Sequence, residues 1–282
     1  MTTSVAVVGA TGKLGSLACR LVEESADFDL VARLRSSSDL AEMLAADVVV
    51  DMTLPSVSQG VVDFAIANGK KVLVGTSGWS GDRIAALERR VAEREAAGFD
   101  PGVVIVPNFS VGSVLATALA TVAARFYESV EIIETHAASK IDSPSGTAVR
   151  TAELILEARA ELGPVSAAHT DQRARGQQVA SVPVHSLRLP GVQARQEVVF
   201  GGIGESVTIR HDTSSSASYE AGILRALAAT AVSTGVTVGL DALIDLRSAF
   251  DAAPIAVNAV DLVDDLSADA PSGQAAAATS TS

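Results

Sequence analysis

The sequence predicts an α/β protein: a parallel, doubly wound sheet in its N-terminal part, followed by an α+β part on a mixed sheet. Three observations carry this expectation. Up to residue 106, short β-branched runs alternate with stretches of helical periodicity, the pattern of βαβ units. The first strand-to-helix connection is a glycine-rich turn. Beyond residue 180, strand-like runs follow one another with only glycine-rich turns between them, which suits an antiparallel or mixed sheet.

Each element has its own signal. Residues 4–8 form the first β-branched run, and residues 13–24 carry an apolar helical stripe. Cys19, the single cysteine, falls in that stripe and reads as a buried structural thiol. One cysteine excludes an intrachain disulfide and a multi-cysteine metal site. Strands are expected over 28–33 and 47–52, a helix over 57–68, and a fourth strand over 71–74, stopped by Gly75-Thr76-Ser77-Gly78. A charged amphipathic helix over 83–97 precedes a fifth strand over 103–106, which ends at Pro107-Asn108-Phe109. A long helix over 114–127, a strand over 129–135 and a second long helix over 146–162 follow. Residues 167–178 are polar and read as loop. Strands are expected over 182–189, 194–200 and 206–211, and the last strong helix over 219–229. Residues 250–263 suit a short packed segment. From Ser267 onward Ala, Ser, Thr, Gly and Pro dominate without periodicity, which predicts a disordered tail.

Composition narrows the function classes. The 282 residues suffice for two domains, and a 48% hydrophobic share with only 4% aromatics predicts a core of aliphatic side chains. The net charge of −12 disfavours nucleic acid and anionic membrane as partners. The N-terminus enters a strand without a basic flank, and no apolar run reaches the length of a bilayer span. A cytoplasmic protein is the expectation. No metal-ligand spacing appears.

Two segments carry chemistry. Gly9-Ala10-Thr11-Gly12-Lys13-Leu14-Gly15 places glycines every third residue between a strand and a helix. Such a turn brings backbone close to a pyrophosphate and points helix amides at it. An acid about 20 residues past the glycines would select NAD. That position here is Arg35, with Ser36 beside it, and an arginine among hydroxyls suits a 2′-phosphate. The expectation is NADPH, with NADH as the alternative. In the second segment, His136 follows a strand and opens a Gly/Ser/Pro-rich loop. An imidazole ordinarily titrates near pH 6.5 (~6.5) and can donate a proton near neutrality. Lys140 offers a point charge for a carboxylate. Ser145, Gly146 and Thr147 open a helix whose amides and hydroxyls can hold a second carboxylate. His185 and His211 alternate with apolar residues on strands and read as packed or hydrogen-bonded, and His169 as a loop residue.

These motifs together resemble the dihydrodipicolinate reductase family. The resemblance runs from about residue 5 to 246. Its segments are Val-Gly-Ala-Thr-Gly-Lys-Leu-Gly (8–15), Val-Gly-Thr-Ser-Gly (74–78), Pro-Asn-Phe-Ser-Val-Gly (107–112) and Glu-Thr-His (134–136) with Lys-Ile-Asp-Ser-Pro-Ser-Gly-Thr-Ala (140–148). Val-His-Ser-Leu-Arg (184–188) and Ile-Arg-His (209–211) complete it. The resemblance implies a Rossmann domain over 1–108 with 218–246 returning to it, and a substrate and tetramerisation domain over 109–217, hence a homotetramer. It further implies hydride transfer from the nicotinamide to an unsaturated cyclic imine, a small dicarboxylate. His136 then matches the acid, Lys140 the substrate-side lysine, and Ser145, Gly146 and Thr147 the carboxylate cradle. Gly75, Thr76 and Ser77, with Asn108, Phe109 and Ser110, match the nicotinamide-side loops and hinge.

Some positions depart from the family pattern. Ala137 and Ser139 stand where the family commonly has histidines, a further histidine is missing around Arg195, and Ser216 stands where an arginine is frequent. Arg195 is the candidate replacement, as a cation lining the pocket. On sequence alone three other readings stay open: a paralogue reducing another cyclic imine or unsaturated imino acid, a non-catalytic NADPH-binding protein, and an oligomeric scaffold.

Overall fold

In the computed structural model, which describes residues 2–246 and 248, helices and strands alternate through the first five strands. These are β1 (Thr3–Val8), β2 (Phe28–Leu34), β3 (Val48–Asp51), β4 (Lys71–Val74) and β5 (Gly102–Ile105). The helices between them are α1 (Lys13–Glu24), α2 (Pro55–Ala67) and α3 (Gly81–Ala96). The four central strands are apolar runs because helices cover both faces of the sheet. Val5, Val7, Val48, Val50 and Leu73 pack with α1, whereas Val49, Val72, Val74 and Val103 pack with α2 and α3. Helix α2 starts two residues earlier than expected because Pro55 occupies its first turn, where a missing N–H costs nothing.

The second half is built on α4 (Val111–Ala123), β6 (Ser129–His136), α5 (Gly146–Ala158), β7 (Gln177–Val179), β8 (Val182–Arg188), β9 (Ala194–Gly202) and β10 (Glu205–Thr213). Its sheet order is β10-β9-β6-β8-β7, with β6 and β8 parallel and the other pairs antiparallel. The expected mixed sheet is therefore present. Helices α4 and α5 cover one face, over a core of Val130, Ile132, Val184, Val198 and Phe200. Both helices stop short of their expected ends, and Arg159 accounts for it. This buried C-cap residue of α5 turns its guanidinium onto the carbonyls of Ala124 (2.5 Å) and Tyr127, just past α4.

The chain then returns to the first sheet. Helix α6 (Glu220–Ala231) packs Ile223, Ala226 and Leu227 against Val104 and Val106. Strand β11 (Gly235–Val238) adds itself in parallel beside β5, giving the order β2-β1-β3-β4-β5-β11. Neither β7 nor β11 was legible as a strand. The first begins in the stretch expected to be loop, and two exposed glutamines followed by one half-buried valine on a sheet edge carry no apolar alternation. The unit so formed ends at Ile244. The packed segment expected over 250–263 and the disordered tail expected from Ser267 lie outside the described residues. No helix among the described residues is long and apolar enough to cross a membrane.

Helix α6 reaches the sheet only because Gly222 has no side chain. A Cβ there would fall 1.9 Å from the carbonyl oxygen of Phe109. Gly222→Ala is expected to cost about 2–3 kcal/mol, as overpacking against backbone does. Thermal unfolding checks this; a midpoint within 1 °C (about 1) of the parent would show that the contact yields cheaply.

Candidate active site

The glycine turn sits at the C-terminal end of β1, where the connections from β1 to β2 and from β2 to β3 leave in opposite directions across the sheet. Ligands of doubly wound sheets bind at such a switch point. Gly9 has φ +82°, and a Cβ there would meet the Met52 carbonyl oxygen at 2.5 Å. The amides of Gly9 and Ala10 donate to the Leu34 carbonyl at 3.0 and 3.1 Å, which ties the turn to the end of β2. Gly15 lets α1 lie on the turn, since a Cβ would come 2.1 Å from the Gly9 oxygen. Helix α1 then starts without a side-chain cap and without an acid in its first turn, so its positive end is uncompensated. Thr11, Gly12 and Lys13 at that end are exposed. Arg35 and Ser36 are exposed too and directly follow Leu34, beside the turn. Arg33 faces elsewhere and pairs with Glu23.

Two cavities open from this switch point. One, of about 320 Å³, is lined by Leu14, Met52, Thr53, Gly75, Thr76 and Ser77 among others. The second, of about 360 Å³, is lined by Lys13, Asn108, Phe109, His136, Lys140, Ser145 and Thr147 among others. Leu14 and Pro107 belong to both walls, so the cavities adjoin. The connection between them is self-braced: Asn108 Oδ1 accepts from the Ser110 amide at 2.9 Å, and its Nδ2 donates to Ser113 Oγ at 2.9 Å. Ser110 caps α4 by accepting from the Ser113 amide at 3.2 Å.

His136 lines the second cavity from the last position of β6. Its Nδ1 bonds Glu134 Oε2 at 2.5 Å. Glu134 is fully buried and is gripped by Arg188, Nη1 to Oε2 and Nη2 to Oε1, both at 2.9 Å. Burial pushes the Glu134 carboxyl up, but hydrogen bonds from Arg188, Ser186 and His136 outweigh it and hold the group below the usual carboxylate range. Lys140 also lines the cavity, yet it is not a bare cation, because its Nζ contacts both oxygens of Asp142 at 2.8 Å. That lysine holds the Asp142 carboxyl below its ordinary value. Ser145 is the N-cap of α5, its hydroxyl accepting from the Ala148 amide at 3.2 Å. Gly146 is exposed, Thr147 lines the cavity, and the first turn of α5 holds no acid.

Strand register assigns the site residues of the second sheet to its two faces. Glu134 pairs with Gln196, which pairs with His211, whereas Thr135 pairs with Arg195, which pairs with Asp212. Directly paired residues share a face, so Glu134, Gln196 and His211 look to one side of the sheet and Arg195 to the other. Arg195 lines the cavity as a cation, as expected, with its guanidinium paired to Asp212. His211, expected to be packed or hydrogen-bonded, also lines the cavity. Its Nε2 lies 3.3 Å from Ser110 Oγ, and burial holds its imidazole below the ordinary value despite the neighbouring Asp212 charge. His185 is hydrogen-bonded as expected, to Glu131 at 2.7 Å, and Cys19 is buried. Sequence reasoning missed Glu134, Arg188, Gln196 and His211. The signal for Glu134 was present, since it stands two residues before His136 on a strand and so shares its face.

A switch-point sheet with a cavity lined by His136 and Lys140 against it fits one class, a nucleotide-dependent oxidoreductase. Two family models match the chain, "Dihydrodipicolinate reductase, N-terminus" over residues 3–109 and "Dihydrodipicolinate reductase, C-terminus" over residues 112–244. The chain belongs to the dihydrodipicolinate reductase family. It is 61% identical over 280 residues to the 4-hydroxy-tetrahydrodipicolinate reductase of Clavibacter michiganensis subsp. michiganensis, covering 99% of this chain and 100% of that one. It is 43% identical over 250 residues to the enzyme of the same name from Streptomyces avermitilis, covering 86% of this chain and 98% of the relative. Among solved structures it resembles a dipicolinate-bound dihydrodipicolinate reductase from Paenisporosarcina sp. TG-14. The identity is 28% and the TM-score 0.71, with 86% of this chain and 100% of that chain covered.

The Glu134–Arg188 pair yields a signed prediction. A carboxyl held below its ordinary value adds stability that is complete above the unfolded value, about 4.3, and is lost as the pH falls through the folded value. Arg188→Met would leave a buried carboxylate without its main partner, at a cost on the order of 3 kcal/mol at neutral pH. As the pH falls, Glu134 of the variant takes up a proton and the stability gap to the parent narrows. Denaturant unfolding at pH 7 and pH 4 (roughly) measures both gaps; a gap independent of pH would contradict the assignment.

Proposed function

We propose that this protein is a cytoplasmic reductase that converts 4-hydroxy-tetrahydrodipicolinate to tetrahydrodipicolinate with NADPH, in diaminopimelate and lysine synthesis. One observation carries the reading: the cavity that Leu14 of the glycine turn lines adjoins, across Leu14 and Pro107, a cavity that holds His136, Lys140 and the start of α5. Residues 1–108 and 218–246 would serve the nucleotide, and residues 109–217 the substrate and self-association. The names of the relatives support the substrate, and the dipicolinate-bound relative supports a planar dicarboxylate in such a cavity.

Gly9 to Gly15 would hold the pyrophosphate on the amides of α1, with Arg35 and Ser36 at the 2′-phosphate. Gly75, Thr76 and Ser77, with Asn108, Phe109 and Ser110, would flank the nicotinamide, which supplies the hydride when bound. Ser145, Gly146 and Thr147 bind one substrate carboxylate at the positive end of α5. Lys140 exchanges Asp142 for the other. The 4-hydroxyl leaves as water with a proton from the neighbouring ring carbon, which gives a C=C conjugated to the C=N. His136 then delivers a proton from Nε2 to the carbon beside the one that receives hydride, so the C=C is reduced and the C=N is kept. For a homotetramer, the supporting feature is the sheet face opposite α4 and α5, where Ile133, Leu187 and Val199 are only partly covered.

Two predictions follow from these roles. NADPH oxidation, followed by its near-ultraviolet absorbance with substrate made in a coupled reaction, should be robust in the parent and about 10²–10⁴-fold slower in His136→Gln. Full kcat in that variant would remove His136 from the role of acid. Arg35→Asp should raise the KM for NADPH far more than the KM for NADH, and equal changes would contradict the 2′-phosphate assignment.

A further inference from the structure

We infer that Glu134 is the positioning residue of this site: one buried carboxylate that orients His136 and sets it in register with the carboxylate-binding end of α5. The inference rests on the reading of His136 as the acid. It starts from the strand, where alternation puts Glu134 and His136 on the same face of β6. Every oxygen of Glu134 is occupied. Oε2 accepts from His136 Nδ1 at 2.5 Å and Arg188 Nη1 at 2.9 Å. Oε1 accepts from Arg188 Nη2 at 2.9 Å and from the Ser145 amide at 3.2 Å.

An ionised carboxylate only accepts hydrogen bonds. The proton in the His136–Glu134 bond therefore sits on Nδ1, and Nε2 is the nitrogen left for the substrate. The Ser145 amide belongs to the N-cap of α5, so the same carboxylate also fixes where that helix end lies. Arg188 balances the buried charge, and its Nη2 donates to the Asp142 carbonyl at 2.6 Å, holding the loop that carries Lys140. A purely structural ion pair would need Arg188 and Glu134 alone. Here the carboxylate meets the acid and the cradle directly, and the lysine loop through Arg188.

Glu134→Gln in the full chain tests this. Glutamine keeps the size but replaces one acceptor by a donor, so whichever way its amide turns, His136, Arg188 or Ser145 loses an acceptor. Long-range ¹⁵N–¹H spectra of ¹⁵N-histidine-labelled protein report the tautomer of each of the four histidines. The expected result is His136 protonated on Nδ1 in the parent and a changed ring pattern in the variant. Alongside it, kcat should fall on the order of 10²-fold, with the NADPH dissociation constant within about threefold and the dipicolinate constant raised by a smaller factor than kcat falls. An unchanged His136 pattern overturns the inference, and so does an equal loss of kcat, ligand binding and thermal stability. If the parent reduces no substrate but the tautomer still responds, the proposed reaction fails while the positioning role stands. If the parent is active and the tautomer does not respond, the positioning role fails alone. Should the glutamine variant not fold, Glu134→Asp keeps the ionised acceptor but draws it back from the ring, and the same readouts decide.

Discussion

The site depends on a negative charge placed where water cannot reach it. Glu134 is fully buried, a position that isolated carboxylates do not hold, because burial alone would drive them to take up a proton. Arg188 makes the charge tenable with two parallel hydrogen bonds from the neighbouring parallel strand. Once the charge is fixed, it can orient other groups. His136 and the start of α5 both take their positions from it, and the lysine-bearing loop is tied to it through Arg188.

A second constraint comes from topology. In a doubly wound sheet the chain diverges between β1 and β3, and the cleft left there lies at the strands' C-terminal ends. Leu14 from the glycine turn lines that cleft together with Thr53, Gly75 and Thr76. The chain leaves β5 through Pro107 and Asn108, directly into α4 and the second sheet. The cavity lined by His136 is thus placed against that cleft by a few residues of connection. Close backbone contacts at Gly15 and Gly222 hold α1 and α6 against this region at distances no other side chain permits.

Much of this was legible in the sequence, and what was not has a physical reason. The parallel strands are apolar throughout because both their faces are covered, so β1, β3, β4 and β5 stand out as runs. The glycine turn, His136, Lys140 and Ser145 to Thr147 were legible as motifs, and they do converge. Edge strands β7 and β11 were not, being three and four residues long with little to bury. Faces in the second sheet were harder still. Whether Arg195 or Gln196 looks toward His136 depends on register between strands about sixty residues apart (roughly), and a shift of one residue would exchange them. The cavity-side place of His211 was hidden for the same reason. Only the register puts it opposite Gln196 and thereby on the cavity side.

The central claim is spatial: one dicarboxylate and one nicotinamide meet between His136 and the glycine-turn cleft. A crystal structure of the ternary complex with NADPH and dipicolinate tests it most directly. The account predicts one carboxylate on the amides of Ser145 to Thr147, the other at Lys140, and the ring between His136 and the nicotinamide. A dicarboxylate seated away from His136, or a nicotinamide directed away from that cavity, would contradict it.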